Sequence, residues 1–263
     1  MSIDIEILMA TMHRENLASF PLSEKNIESS LLIVNQADHE SIETNGSVRM
    51  LSNTERGSSL SRNLAIENAI GDICVIADDD VSYLDGYEQV ILDAYSRYPD
   101  ADLITFQIQT TEGKPFKDGY INREMVHNEL SILKCASIEI TFRREAIKKS
   151  GLLLDKEFGL GSKYRVHDEI IFLKDALDAG LKCVYIPTPI VIHPPESSGT
   201  DITYELLYSK GAAFYRLFGV RGYLFDIAFT IKKYQLIKHR FSFFSSLRIM
   251  LKGTFEYSRE HKK

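Results

Sequence analysis

Gly71-Asp72-Ile73-Cys74-Val75-Ile76-Ala77-Asp78-Asp79-Asp80-Val81 holds a short apolar run that ends abruptly in three consecutive carboxylates. Its length suits a buried strand. In open α/β sheets, ligands collect outside the carboxyl ends of the strands. Three acids placed there repel one another unless a cation or a hydrogen-bond network compensates them. Hard cations such as Mg²⁺ or Mn²⁺ take carboxylate oxygens and keep positions open for substrate phosphates. The stretch therefore reads as a metal-assisted site for a phosphorylated ligand. A solvated acidic turn that also caps the next helix is the plainer alternative.

Upstream, Ile3–Ala10 suits a first buried strand ending near Thr11, and Leu31–Val34 suits a second, followed by polar Asn35-Gln36. Val48–Leu51 reads as a short third. Between Asn53 and Asn63 a polar loop runs into a helix with Leu60, Leu64, Ile66 and Ala69 on its face, which Gly71 stops. Downstream, Leu84–Tyr98 is a helical span ended by Pro99, and Asp102–Ile108 is a strand. A polar loop follows over 110–120, then a strand over Ile138–Phe142 and a short helix over Arg144–Ser150 closed by Gly151. A glycine-punctuated turn at 155–164 precedes a helix over Asp168–Ala179, which Gly180 stops. Lys182–Ile186 is a strand that Pro187-Thr188-Pro189 breaks, and Ile190-Val191-Ile192 delivers His193 to another strand end. Such alternation predicts an α/β fold with a mostly parallel sheet and helices on both faces.

The 263 residues suffice for one large α/β domain, or one with an appendage. A formal charge of −6 argues against general nucleic-acid binding. The balance is uneven: from Asp201 onward there are 12 Lys and Arg against 5 Asp and Glu, a charge of +7, which leaves −13 for residues 1–200. Cys74, Cys135 and Cys183 sit far apart in or beside apolar runs, and buried free thiols in a reducing cytoplasm are expected. The acidic start and short first apolar run do not resemble a signal peptide, and no apolar run has transmembrane length.

Three blocks together resemble the family 2 glycosyltransferases, inverting enzymes with a GT-A fold, over roughly residues 3–195. Asn53, Gly57, Arg62 and Asn63 match an N-x-x-x-G-x-x-x-x-R-N stretch before that family's metal strand. Asp78-Asp79-Asp80 matches its D-x-D motif. His167-Asp168-Glu169, with Lys174 further along the helix, resembles the segment that holds the catalytic base. Asn35-Gln36 stands where the family usually has an acidic pair, His167 where it has glutamate, and Lys174 where it has arginine. The resemblance implies a GT-A type, Rossmann-like catalytic domain over 1–200, with a nucleotide-sugar half over about 1–109 and an acceptor half over about 110–200. The remainder, 201–263, is a basic amphipathic helical tail.

The same resemblance assigns roles. Asp80, with Asp78 and His193, would hold Mg²⁺ or Mn²⁺ on the donor's diphosphate. Asp78 and Asp79 would also reach the ribose. Thr11, Arg14, Asn35, Gln36, Asn53, Gly57 and Arg62 would line the nucleotide-sugar. Asp168 would be the general base, with Glu169 as its rival. Each has a structural alternative: Asp168 and Thr11 as helix caps, Arg62 as the partner of an acid, His193 as a packed loop residue. Phe158 reads as core.

Beyond Ile202, apolar residues such as Ala212–Phe218, Phe241, Phe243 and Phe244 mix with basic ones, which suits amphipathic helices on an anionic membrane surface. Packing of the tail on the catalytic domain or on a second subunit is the alternative. The whole implies a cytoplasmic enzyme, peripheral on the inner membrane face. It would move a sugar from a nucleotide-diphosphate donor to a glycan or lipid-linked acceptor in cell-surface polysaccharide synthesis. A D-x-D phosphohydrolase with Asp78 as nucleophile and a non-catalytic sugar-binding module are the rivals.

Overall fold

The run that opens the sequence reading is strand β5 (Ile73–Asp78), and Ile73–Ala77 within it are buried. It pairs in parallel with β1 (Ile5–Met12), which pairs in parallel with β2 (Ser30–Gln36). Strand β4 (Val48–Asn53) extends this parallel run, and β3 (Ser41–Asn45) closes the edge antiparallel to it. On the other flank, β9 (Ile140–Arg143) runs against both β5 and β7 (Leu103–Thr110). Strand β10 (Cys183–His193) then runs parallel to β7, while the short β6 (Ser82–Tyr83) and β8 (Met125–Val126) pair antiparallel with β10. The sheet order is β3-β4-β2-β1-β5-β9-β7-β10-β6. Between the strands come α1 (Ser58–Asn68), α2 (Tyr87–Arg97), α3 (Arg144–Ser150) and α4 (Asp168–Asp178). This computed structural model describes residues 3–194 and 202–261.

Three expectations are corrected. Pro187 and Pro189 do not break the last strand. β10 continues through them because the ladder shifts register between Tyr185 and Pro189 and again between Pro189 and Val191. A proline lacks the N–H a ladder needs, and a bulge is where a sheet tolerates that. Helix α1 ends at Asn68, short of Gly71. Cys74 and Cys183 are buried free thiols, whereas Cys135 is only half-buried.

The chain divides into two compact units. The first comprises Met1–Arg56, Leu60–Leu154 and Phe172–Glu196, and it contains the whole sheet. Its core is the inward set of the central strands, including Ile7, Met9, Ile33, Val75, Ile104 and Phe106. The second comprises Gly57–Ser59, Asp155–Ile171 and Ser197–Lys263. The boundary expected at residue 200 lies outside the described residues.

The second unit is built on α5 (Tyr204–Phe218), α6 (Gly222–Ile237) and α7 (Phe243–Glu260). Glycines let α5 and α7 cross in backbone contact: a Cβ on Gly211 would fall 2.0 Å from the Met250 carbonyl oxygen, and one on Gly253 would fall 2.0 Å from that of Tyr208. The segment 155–171 packs on these helices. Arg216 Nε donates to Asp155 at 2.9 Å, and the Arg165 N–H donates to Ser209 Oγ at 3.1 Å. Phe158 stacks on Tyr164 with ring centres 5.0 Å apart, and Tyr257 meets both rings. Phe158 is thus core, as expected.

Among the described residues, one buried acid in this unit has no cation beside it. Asp226 on α6 is fully buried, and its Oδ2 accepts from Thr254 Oγ1 at 2.5 Å. Among the described residues its Oδ1 has no hydrogen-bond partner. Burial raises its carboxyl to about 7, against the Thr254 bond, which opposes the shift. The folded pKa lies above the unfolded one, so stability is lost as pH rises from about 4 through about 7. Asp226→Asn keeps the acceptor for Thr254 and removes the charge. The variant is expected to be more stable than the wild type at pH 8, by at most about 4 kcal/mol, and to melt higher there, with the gain vanishing near pH 4. Equal melting curves at pH 8 would contradict this origin of the cost.

Candidate functional site

Parallel pairing in the first unit sets the ends of four strands level. Thr11 faces Asn35, Ala10 faces Asp78, Asn35 faces Ser52 and Gln36 faces Asn53. Thr11, Asn35, Gln36, Asn53 and Asp78 are therefore neighbours along one carboxyl edge, where ligands gather in such sheets. They reach that edge by strand register alone, although they are separated by up to 67 positions in sequence.

The three acids separate there into three environments. Asp78 Oδ1 accepts from Arg62 at 2.7 Å, and Ser137 Oγ lies 3.0 Å from Arg62 and 3.4 Å from Asp78. Arg62 thus takes the acid-pairing role in this structure. Asp79 Oδ2 accepts from Thr11 Oγ1 and, at 3.2 Å, from Arg14, whose Nε lies 3.3 Å from the Thr11 hydroxyl. Thr11 therefore holds the acidic turn. Lys25, itself buried, donates to the Asp79 carbonyl.

Asp80 is left facing a histidine. Strand β6 follows the triad immediately and sets Ser82 opposite Ile192 on β10, which brings His193 Nε2 to 3.4 Å from Asp80 Oδ2. The His193 ring meets Phe116 edge-on at 4.9 Å. Partial burial raises the Asp80 carboxyl above the usual range, His193 opposes the shift, and Asp78 and Asp79 add to it.

Asn35 does not present its amide to the open edge. Its Oδ1 accepts from the Arg14 N–H at 3.1 Å, and its Nδ2 donates to the Arg14 carbonyl at 2.9 Å and to Ser52 Oγ at 2.9 Å. It is a buried clamp on the loop carrying Arg14. Gln36 is buried beside it. Asn53 Oδ1 is buried at the end of β4 with no hydrogen-bond partner among the described residues. Asn63 clamps the chain at Leu154, accepting its N–H at 2.7 Å and donating to its carbonyl at 2.9 Å. The asparagine of the R-N pair thus has a structural task.

A different constellation lies in the second unit. Asp168 is buried, and the hydroxyls of Ser58 and Ser59 each lie 3.4 Å from its Oδ2. Ser59 also donates to the Phe158 carbonyl at 2.6 Å. Gly159 makes room for this group. At φ +99°, a Cβ there would fall 2.4 Å from Ser58 Oγ and 2.9 Å from Asp168 Cγ. Gly57 holds φ 130°, and a Cβ on Gly161 would fall 3.0 Å from its Cα. Directly before Asp168, His167 holds φ +69°, and Lys210 on α5 lies 3.0 Å from its Nε2. Burial drives the His167 imidazole well below its usual range and lowers Lys210 to about 8. Glu169 is half-buried and favours the charged form of Lys210.

Lys25, Ser137, Gly159 and Lys210 were not visible as site residues in the sequence. Gly159 lies in the glycine-punctuated turn and Lys210 in the helical tail, but neither pattern points to these positions, and tertiary contacts alone bring the four in. Lys174 is paired with Asp178 at 2.6 Å. Among the described residues, no three His, Cys, Asp or Glu side chains are arranged to hold a metal ion by themselves. Asp80 and His193 offer two donors. That fits a cation of the Mg²⁺ type, which binds through one or two carboxylates and takes its other ligands from water and substrate phosphates.

No protein-family model matches the chain, and no curated protein does. Solved structures of TarS from S. aureus share its fold. One matches with a TM-score of 0.59 at 11% identity, covering 88% of this chain and 44% of that one. TarS 1–349 in complex with UDP gives 0.59 at 11% identity over 91% and 76% of the two chains. Its complex with UDP-GlcNAc gives 0.57 at 10% identity over 94% and 83%. The present chain therefore spans under half of the longer TarS chain. Likeness at this identity establishes the fold, which is of the GT-A type with a C-terminal helical region.

Proposed function

We propose that this chain is an inverting glycosyltransferase that moves a sugar from a nucleoside diphosphate sugar onto a hydroxyl of a glycan or lipid-linked acceptor. The observation that carries the reading is the shared carboxyl edge, where Thr11, Asn35, Asn53 and Asp78 stand level and Asp79 and Asp80 follow directly, in a fold that TarS uses while holding UDP and UDP-GlcNAc. UDP-sugars are accordingly the first donors to try.

Asp80 and His193 would hold Mg²⁺ or Mn²⁺. Such an ion supplies charge stabilisation for the departing diphosphate. Around it the chain's own groups have distinct tasks. Arg62 and Ser137 fix Asp78, Thr11 and Arg14 fix Asp79, and Lys25 holds the Asp79 carbonyl that leads into Asp80, so the acids enter the reaction already oriented. Asp168 takes the proton of the acceptor hydroxyl as its oxygen bonds to the anomeric carbon. The bond from that carbon to the diphosphate oxygen breaks, and the nucleoside diphosphate leaves with the electron pair.

Incubation of the purified chain with UDP-, dTDP- and GDP-sugars and Mn²⁺ tests this reading. One donor is expected to release nucleoside diphosphate, and NMR of the product is expected to show the anomeric centre inverted. Release from none of them, or retention of configuration, would refute it.

A further inference from the structure

Helix α6 is apolar almost all round, a pattern that ordinarily belongs to a buried helix. It is not buried all round. Leu224, Ile227 and Ile231 recur at helical spacing along one side and are exposed, Leu224 to 65% and Ile231 to 63%. Val220, in the turn that leads into α6, extends the row at the same spacing and is 75% exposed. Near the far end, Leu236 and Phe244 are exposed as well. Scattered apolar residues are normal on a protein surface, but a continuous row of this kind marks an interaction site.

The charge around this row selects its partner. Residues 206–255 contain nine Lys and Arg and one acid, Asp226, which is fully buried. Two of the nine, Arg216 on Asp155 and Lys210 against His167, are engaged inside the unit and do not count toward the charge around the row. Lys232 and Lys238 are exposed on α6 and the turn after it. A second copy docking row to row would bring two such basic surfaces together, because a twofold interface places the same patch on both sides. An anionic partner meets no such repulsion. A lipid surface also accepts a protruding apolar row between its headgroups, with flanking lysines at headgroup level. Among the described residues no helix is long and apolar enough to cross a membrane, so contact is lateral.

We infer that the Val220–Leu224–Ile227–Ile231 face of α6 lies in the interface of an anionic bilayer, with Lys232 and Lys238 among the basic residues that hold it there. The inference does not depend on the chemistry assigned above and is tested without any nucleotide.

Co-sedimentation of the whole chain with vesicles of phosphatidylcholine alone, and of phosphatidylcholine with phosphatidylglycerol in equal parts, reads it directly. Binding is expected only to the anionic vesicles and should weaken in high salt. Leu224→Glu/Ile231→Glu lies on an exposed face, so it should keep the wild-type melting temperature and lose at least about tenfold in binding. Lys232→Gln/Lys238→Gln should lose about 25-fold, at roughly fivefold per basic residue. Equal behaviour on the two vesicle types would overturn the inference, as would binding that Leu224→Glu/Ile231→Glu leaves unchanged. A stable oligomer in light scattering that this same variant turns into monomers would reassign the face to a second copy and overturn it too.

Discussion

Replacing Asp168 with asparagine is expected to lower glycosyl transfer by about 10²–10⁴-fold, the range a positioned general base contributes. Donor affinity should stay within about twofold. Asparagine has the shape of the aspartate and keeps an oxygen for the Ser58 and Ser59 hydroxyls, which lie 3.4 Å from Asp168 Oδ2. The group made tight by Gly159 therefore stays assembled, and only the ability to take a proton is lost. A capping role predicts something else: asparagine caps as well as aspartate, so turnover stays intact and stability falls only by the ~0.3–1 kcal/mol that a charge at a helix N-terminus supplies. Glu169→Gln separates the two carboxylates. It should cost less than tenfold if Asp168 is the base, and a larger loss at Glu169 would move the role there. A purely binding module predicts no change in either variant.

Asp80→Asn is expected to remove the metal-dependent part of donor binding and to lower turnover by about 10²–10³-fold, in line with the several kcal/mol of charge stabilisation a bound cation supplies. Asp80 is the one acid of the triad whose side chain faces a histidine in place of an arginine. Asp78 and Asp79 are compensated by Arg62 and Arg14, so a cation at the edge has most to gain at Asp80. His193→Ala should act in the same direction but less strongly, because a water can replace one neutral donor more easily than a charge. Loss of donor binding without any change in its response to Mn²⁺ would place the role of Asp80 elsewhere.

The parts of the fold that were legible are those whose burial leaves a pattern. Strands β1, β2 and β5 are buried runs, and the triad ends β5 as the apolar-to-acidic break implied. The interval from Asn53 to Asn63 reads as a loop entering a helix, and α1 begins inside it at Ser58. Strand β3 left no signal because it is an edge strand with one polar residue after another and an exposed Ile42. The passage of β10 through Pro187 and Pro189 is not legible, since local proline chemistry argues for a break and only the bulged ladder shows how the sheet absorbs it.

Within the candidate site, residue types were easier to read than their partners. That acids would stand at the sheet edge followed from one stretch. That Arg62 would choose Asp78, that Asn35 would clamp the Arg14 backbone, and that Asp80 would meet His193 did not follow. The last contact depends on β6, two residues long, pairing with the end of β10. A strand that short carries no periodicity. Likewise, the grouping of 57–59 and 155–171 with the C-terminal helices rests on contacts across long separations, such as Phe158 and Tyr164 with Tyr257 and Asp155 with Arg216.

Calorimetric titration of the purified chain and of Asp80→Asn with UDP, each with and without Mn²⁺, probes the edge of the sheet most directly. The wild type should bind UDP at least about tenfold more tightly when Mn²⁺ is present, and the variant should show the same weak affinity in both conditions. A wild type that binds no nucleoside diphosphate, or one whose affinity is indifferent to Mn²⁺ while Asp80→Asn matches it, would contradict a cation-assisted diphosphate site at Asp80.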